Sequence, residues 1–184
     1  MDRFVISGGP GSGKSTLLEA LKKSGFAGSE EVSRQLIQEQ VALGSACVPW
    51  TDLDCFARLA LDRMMEAYEQ AKQDVTFFDR GIPDIIAYLH VGGRPVSAPY
   101  WQALEQYRYS SPVFMAPPWE AIYVNDSERW QTFAEATALY QALTECYQQA
   151  GYSVVELPKA SITSRVEFVL STLEQHRFFK TDNS

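Results

Sequence analysis

Residues Gly8-Gly9-Pro10-Gly11-Ser12-Gly13-Lys14-Ser15 constrain this chain more than any other stretch. They satisfy the pattern GxxxxGK[ST], which about 1% of random chains of this length would show. The setting also fits, with the apolar run Phe4-Val5-Ile6 before the pattern and a segment of helical spacing after it, Ser15 to Lys23, that puts Leu17, Leu18 and Leu21 on one side. Strand, glycine-rich turn and helix open a βαβ unit. The glycines allow backbone angles closed to other residues and leave room for oxygen atoms. Successive N–H groups then line an anion-sized concavity at a helix N-terminus. Lys14 is placed to bridge the β- and γ-phosphates of a nucleoside triphosphate, Ser15 to ligate Mg²⁺, and Thr16 to touch phosphate. Gly8 through Thr16 are therefore the expected nucleotide site, with ATP or GTP and Mg²⁺ as its ligands.

The remaining segments continue the alternation. A short second strand is expected over Phe26–Glu30 and a helix over Val32–Ala42. Beyond Pro49-Trp50, Thr51 is expected to cap a long helix whose stripe Leu53, Phe56, Ala57, Ala60, Leu61, Met64, Tyr68 and Ala71 faces the core. Val75–Asp79 reads as a buried strand, Ile82–Leu89 as a helix, Tyr100–Tyr109 as an aromatic-rich helix and Val113–Met115 as a strand. Trp119–Asp126 has no clear period. A helix from a cap at Ser127 to Ala150, a strand over Tyr152–Leu157, a helix over Ser161–Leu173 and a frayed tail from about residue 177 complete the chain. Strands alternating with helices predict one α/β domain over residues 1–184, a parallel sheet covered on both faces.

Bulk properties narrow the function. The net charge is -7 and the only basic pair is Lys22-Lys23, so no basic face is available for nucleic acid or an anionic membrane. No stretch approaches the ~20 apolar residues of a membrane span, and the N-terminus shows no signal-peptide pattern. Cys47, Cys55 and Cys146 form no CxxC pair and no cluster with His90 or His176; reduced, mostly buried thiols in a cytoplasmic protein are the expectation.

A triphosphate site needs an acid for its metal, and Asp79, at the carboxyl end of a buried strand, is the first choice, with Asp126 as rival. Arg80 follows as a phosphate contact. Glu31 and Arg34, three apart where the second strand should end, share a helix face; Glu31 suits a general base and Arg34 an anion clamp for an acceptor. Arg129 is positioned as a lid cation, and Pro158-Lys159 as neighbours of the base. Tyr88, with His90, Arg94, Tyr100 and Trp101, is the expected acceptor pocket. The catalytic set is thus Lys14, Asp79, Glu31 and Arg129. The function expected is an ATPase or a small-molecule, nucleoside-type kinase transferring the γ-phosphate; a nucleotide-gated binding module with little turnover is the alternative.

Taken together, Gly8 through Thr16, Glu31-Val32-Ser33-Arg34, Pro49-Trp50, Phe77-Phe78-Asp79-Arg80-Gly81-Ile82-Pro83-Asp84, Pro117-Pro118-Trp119-Glu120 and Glu156-Leu157-Pro158-Lys159 make the chain resemble the AAA_28, or NadR/Ttd14-type, AAA domains. That family includes the nicotinamide riboside kinase domain of a regulator of NAD biosynthesis. The resemblance implies a kinase-like, three-layer P-loop NTPase fold with a five-stranded sheet in the order 2-3-1-4-5. The chain is too short to add the second region of a ring-forming motor.

Overall fold

A computed structural model describes residues 1–29, 31–122 and 132–181. Five parallel strands, β1 (Asp2–Gly8), β2 (Ala27–Ser29), β3 (Val75–Asp79), β4 (Val113–Ala116) and β5 (Val154–Glu156), lie in the order β2-β3-β1-β4-β5. This is the order the resemblance implied. β1 takes β3 on one side, with Ile6 opposite Asp79, and β4 on the other, with Gly8 opposite Ala116. The chain therefore leaves β1 in both directions, and the crevice at that switch point is where such sheets take their ligands.

Both faces of the sheet are buried, which explains the unbroken apolar runs in the strands. Phe4, Ile6, Phe77 and Phe114 pack with Leu17, Leu18 and Leu21 of α1 (Lys14–Lys23) and with Val169 and Leu173 of the C-terminal helix. Val5, Phe78, Val113 and Met115 point the other way. They pack among α2 (Val32–Ala42), α3 (Leu53–Gln70), α4 (Ile82–Val91), α5 (Ala98–Gln106) and α6 (Phe133–Gln149). The last helix, α7 (Ile162–Thr181), runs past the expected end at Leu173, because no glycine or proline follows to stop it.

Three local expectations are corrected. Asp52, not Thr51, caps α3, its carboxylate accepting from the Cys55 amide at 2.9 Å. Helix α6 starts at Phe133 and is capped at Thr132 by a reciprocal pair, Thr132 Oγ1 accepting from the Glu135 amide and Glu135 accepting from the Thr132 amide at 2.6 Å, while the expected cap, Ser127, lies outside the described residues. Finally, Cys47 and Cys55 form a disulfide, with Cα atoms 5.3 Å apart, where reduced thiols were expected. The N-terminal turn of α3 brings Cys55 back to Cys47, a closeness that sequence separation alone does not reveal. Cys146 is free and buried, as expected.

Candidate functional site: a phosphate loop opening into a chamber

The loop between β1 and α1 has the geometry its glycines permit. Gly8 has φ +137°, and a Cβ there would lie 2.4 Å from the Ala116 carbonyl oxygen. Gly13 has φ +80° and forms the left-handed N-cap of α1. Ser12 Oγ donates to the Gly9 carbonyl at 2.8 Å, which braces the loop from within. Lys14 is buried, and its Nζ donates to the same carbonyl at 2.9 Å. Burial, with repulsion from Arg80, brings its ammonium down to about 8 against the pull of Asp79 and Glu31. A buried cation at the mouth of an N–H-lined loop is a waiting partner for phosphate.

Asp79 ends β3 beside this loop. Its Oδ2 accepts from Ser15 Oγ at 3.1 Å, while Oδ1 is buried without a hydrogen-bond partner. Burial pushes this carboxyl up from its ordinary value, although Lys14 opposes that. A hydroxyl touching a carboxylate with a spare oxygen suits a hard cation that also takes phosphate oxygens. Among the described residues no group of three or more His, Cys, Asp or Glu side chains could hold a metal by itself. The donor set therefore fits Mg²⁺ shared with a nucleotide rather than a protein-caged ion.

Arg80 adopts φ +75°, an uncommon angle for a side-chain-bearing residue, and this turns its guanidinium back under the loop. Nη1 donates to the Gly8 carbonyl at 3.0 Å and lies 3.4 Å from Asp84, while Nε donates to Glu31 at 3.1 Å. Its carbon sits 5.6 Å from the centre of the Tyr88 ring. Arg80 thus connects the loop, the N-cap of α2 and α4. Glu31 also faces Arg34 at 3.8 Å. Burial would raise the Glu31 carboxyl, but Arg80 and Lys14 outweigh it and hold it near 2, so Glu31 is a fixed anion.

Two residues of this site had no role in the sequence reading. Asp84 is buried on the first turn of α4 and accepts from Ser7 Oγ at 2.7 Å, the Gly81 amide at 2.9 Å and the Tyr147 hydroxyl at 2.5 Å. Its spacing of four from Arg80 was the signal available. Arg165 of α7 is also buried; its Nη1 donates to the Ser12 carbonyl at 3.1 Å and its Nε has no partner. Burial alone pushes the guanidinium down, and no described carboxylate compensates it. No local pattern marks Arg165, since it lies 153 positions from its partner.

One cavity of about 930 Å³ joins Lys14, Ser15, Glu31, Arg80, Asp84 and Arg165, while Asp79 lines a smaller neighbouring pocket together with Ser15, Glu31 and Arg34. The larger cavity is lined at one end by Pro10 through Thr16 and Arg165, and it continues past Glu31, Arg34 and Tyr88 between α2, α3 and α4. Of the expected acceptor aromatics only Tyr88 lines it. Tyr100 is in the core, and His90, Arg94 and Trp101 are exposed, because they fall beyond the α4 turn that faces the cavity. Ala160–Ile162 line the cavity in place of the adjacent Pro158-Lys159. Arg129 and Asp126 lie outside the described residues.

Structural neighbours share this fold at low identity. NadR protein in complex with NR superposes with a TM-score of 0.70 at 16% identity, over 95% of this chain and 50% of that one. The present chain therefore spans about half the length of NadR. Deoxyadenosine kinase from M. mycoides gives 0.61 at 16% identity, over 94% of this chain and 99% of that one. Shikimate kinase from Acinetobacter baumannii in complex with shikimate gives 0.63 at 13%, over 96% and 94%. No curated protein matches by sequence. These likenesses establish a P-loop kinase fold. The profile of AAA_28, described as an AAA domain, matches residues 3–165, and with the loop and strand order in place the chain belongs to the AAA_28 family.

Proposed function

We propose that this protein is a Mg-ATP-dependent phosphotransferase that moves a γ-phosphoryl group to a hydroxyl of a small molecule. The observation that carries this reading is the continuity of the cavity, from the phosphate loop to a chamber edged by Glu31, Arg34 and Tyr88. Hydrolysis alone needs room for one water, whereas this chamber accommodates a molecule. The neighbours support the choice, since two are small-molecule kinases and NadR has been solved with AMP-PNP.

In this reading the loop amides from Gly8 to Thr16 hold the triphosphate and Lys14 lies against its β- and γ-oxygens. Ser15 and Asp79 would hold Mg²⁺, which when bound neutralises charge on those phosphates. Arg165, at the loop's end of the cavity, offers its uncompensated charge to the phosphates. The acceptor hydroxyl attacks the γ-phosphorus, the bond to the β–γ bridging oxygen breaks, and ADP leaves. Glu31, fixed by Arg80, orients the hydroxyl and receives its proton. So acidic a carboxylate is a weak base, which suits a loose transition state where the proton departs late. Arg34 stands at the chamber's edge beside Glu31.

We place the protein in the cytoplasm, with its nucleotide. The Cys47–Cys55 disulfide weighs against that placement, because reducing compartments seldom retain such bonds, and cell fractionation decides it. For the reaction, Mg-ATP is incubated with single acceptors and ADP is measured. The expectation is acceptor-dependent ADP formation, abolished in Glu31→Gln and stripped of its magnesium dependence in Asp79→Asn. ADP formation indifferent to every acceptor would overturn the proposal.

A further inference from the structure

We infer that the acceptor is an alcohol whose body presents an apolar face to α3; the inference rests on the phosphotransferase reading for its hydroxyl and on the chamber wall for its class. The α3 side of the cavity is built from Leu53, Phe56, Ala57, Ala60 and Met64, over about three helical turns, and each of these is apolar. The charged residues of the same stretch, Asp54, Arg58, Asp62 and Arg63, point to solvent. Polar groups line the facing side of the cavity instead, in Ser33, Arg34 and Gln38 of α2, with Glu31 at its N-cap.

That distribution decides the class. A phosphate or carboxylate on the body of the acceptor would need a cation on the wall it meets, which Arg34 offers on the α2 side and α3 does not. Hydroxyls or amide groups turned toward α3 would be left unpaired, each at a cost of one or more powers of ten in affinity, so any such groups turn toward α2. Ala57 and Ala60 add a shape element, because their small side chains hollow the wall between the larger Phe56 and Met64. The hydroxyl of such an acceptor points to Glu31 and the loop, and its body lies along α3.

The probe is a ladder of straight-chain primary alcohols, from butan-1-ol to octan-1-ol, bound to the Mg-ADP form of the full chain and followed by calorimetry. Affinity is expected to rise about fourfold with each methylene. Ala57→Asp is expected to flatten that rise. Ala57→Leu, which keeps the wall apolar and fills the hollow, should end the rise at a shorter alcohol. Mg-ATP affinity close to wild type shows that both variants are folded. A flat ladder in the wild-type protein, or a slope unchanged in both variants, would overturn the inference. The binding readout is independent of turnover, so two failures separate cleanly. Phosphoryl transfer to nucleosides with a flat ladder would remove the apolar class and leave the phosphotransferase. A steep ladder with no transfer to any alcohol would support the apolar class and remove the phosphotransferase.

Discussion

The two ends of the cavity are built in opposite ways. The phosphate end comes from one run of chain, Gly8 to Thr16, held by backbone carbonyls and short polar contacts such as Lys14 to Gly9. The end proposed for the acceptor is collected from α2, α3 and α4 and is apolar over its α3 wall. The first uses main-chain geometry, which glycine spacing encodes directly. The second uses packing, in which a side chain facing a cavity and one facing the core have the same spacing. In the proposed phosphotransferase, binding of phosphate is thus carried by a motif, and choice of acceptor by tertiary arrangement.

The largest effect is expected where the two ends are joined. Asp84 ties β1, α4 and α6 together and faces Arg80, so Asp84→Ala should cost about 3–5 kcal/mol in urea unfolding, as for other buried charge networks that lose a partner. A loss under 1 kcal/mol would show that the ends are held independently. Lys14→Ala comes next. It should weaken Mg-ATP binding by about 2–3 kcal/mol in calorimetry, the value of a hydrogen bond from a charged donor to phosphate, while leaving the alcohol ladder intact. Loss of both would contradict the division between the ends.

Arg165→Met should reduce nucleotide affinity by about 1 kcal/mol, and it should raise thermal stability when no nucleotide is bound, since it removes a buried cation that no described acid compensates. Unchanged affinity would reduce Arg165 to a loop brace. A pH dependence at Glu31 comes last, because it shows only in acid. Its folded value near 2 lies below the ordinary 4.5, so its contribution to stability is complete above about pH 4.5 and is lost as pH falls toward 2. The stability difference between wild type and Glu31→Gln should be constant from pH 5 to 7 and shrink below pH 4.5; a difference growing in acid would contradict it.

The same contrast explains what could be read from the chain. The loop, the strand ending in Asp79 and the alternation of elements were legible because local period and glycine placement encode them. The strand order came from the resemblance. Asp84 was in view, inside the Phe77–Asp84 motif, but its partners Ser7 and Tyr147 lie 77 and 63 positions away. Arg165, the Cys47–Cys55 bond and the acceptor chamber depend on how α3 and α7 settle onto the sheet. The stripe on α3 was read correctly as an inward face; that the same face also borders a cavity is a fact of assembly. The expected aromatic pocket failed for the same reason, because the turn of α4 that carries Tyr88 faces the chamber and the residues beyond it do not.

The most direct test of the phosphotransferase follows the label from γ-labelled Mg-ATP in the presence of a short apolar alcohol, comparing wild type with Glu31→Gln. The account predicts label in an organic phosphate ester in the wild-type protein and none in the variant, with Mg-ATP affinity retained in both. Label released only as inorganic phosphate, at the same rate with and without every acceptor tried, would contradict it.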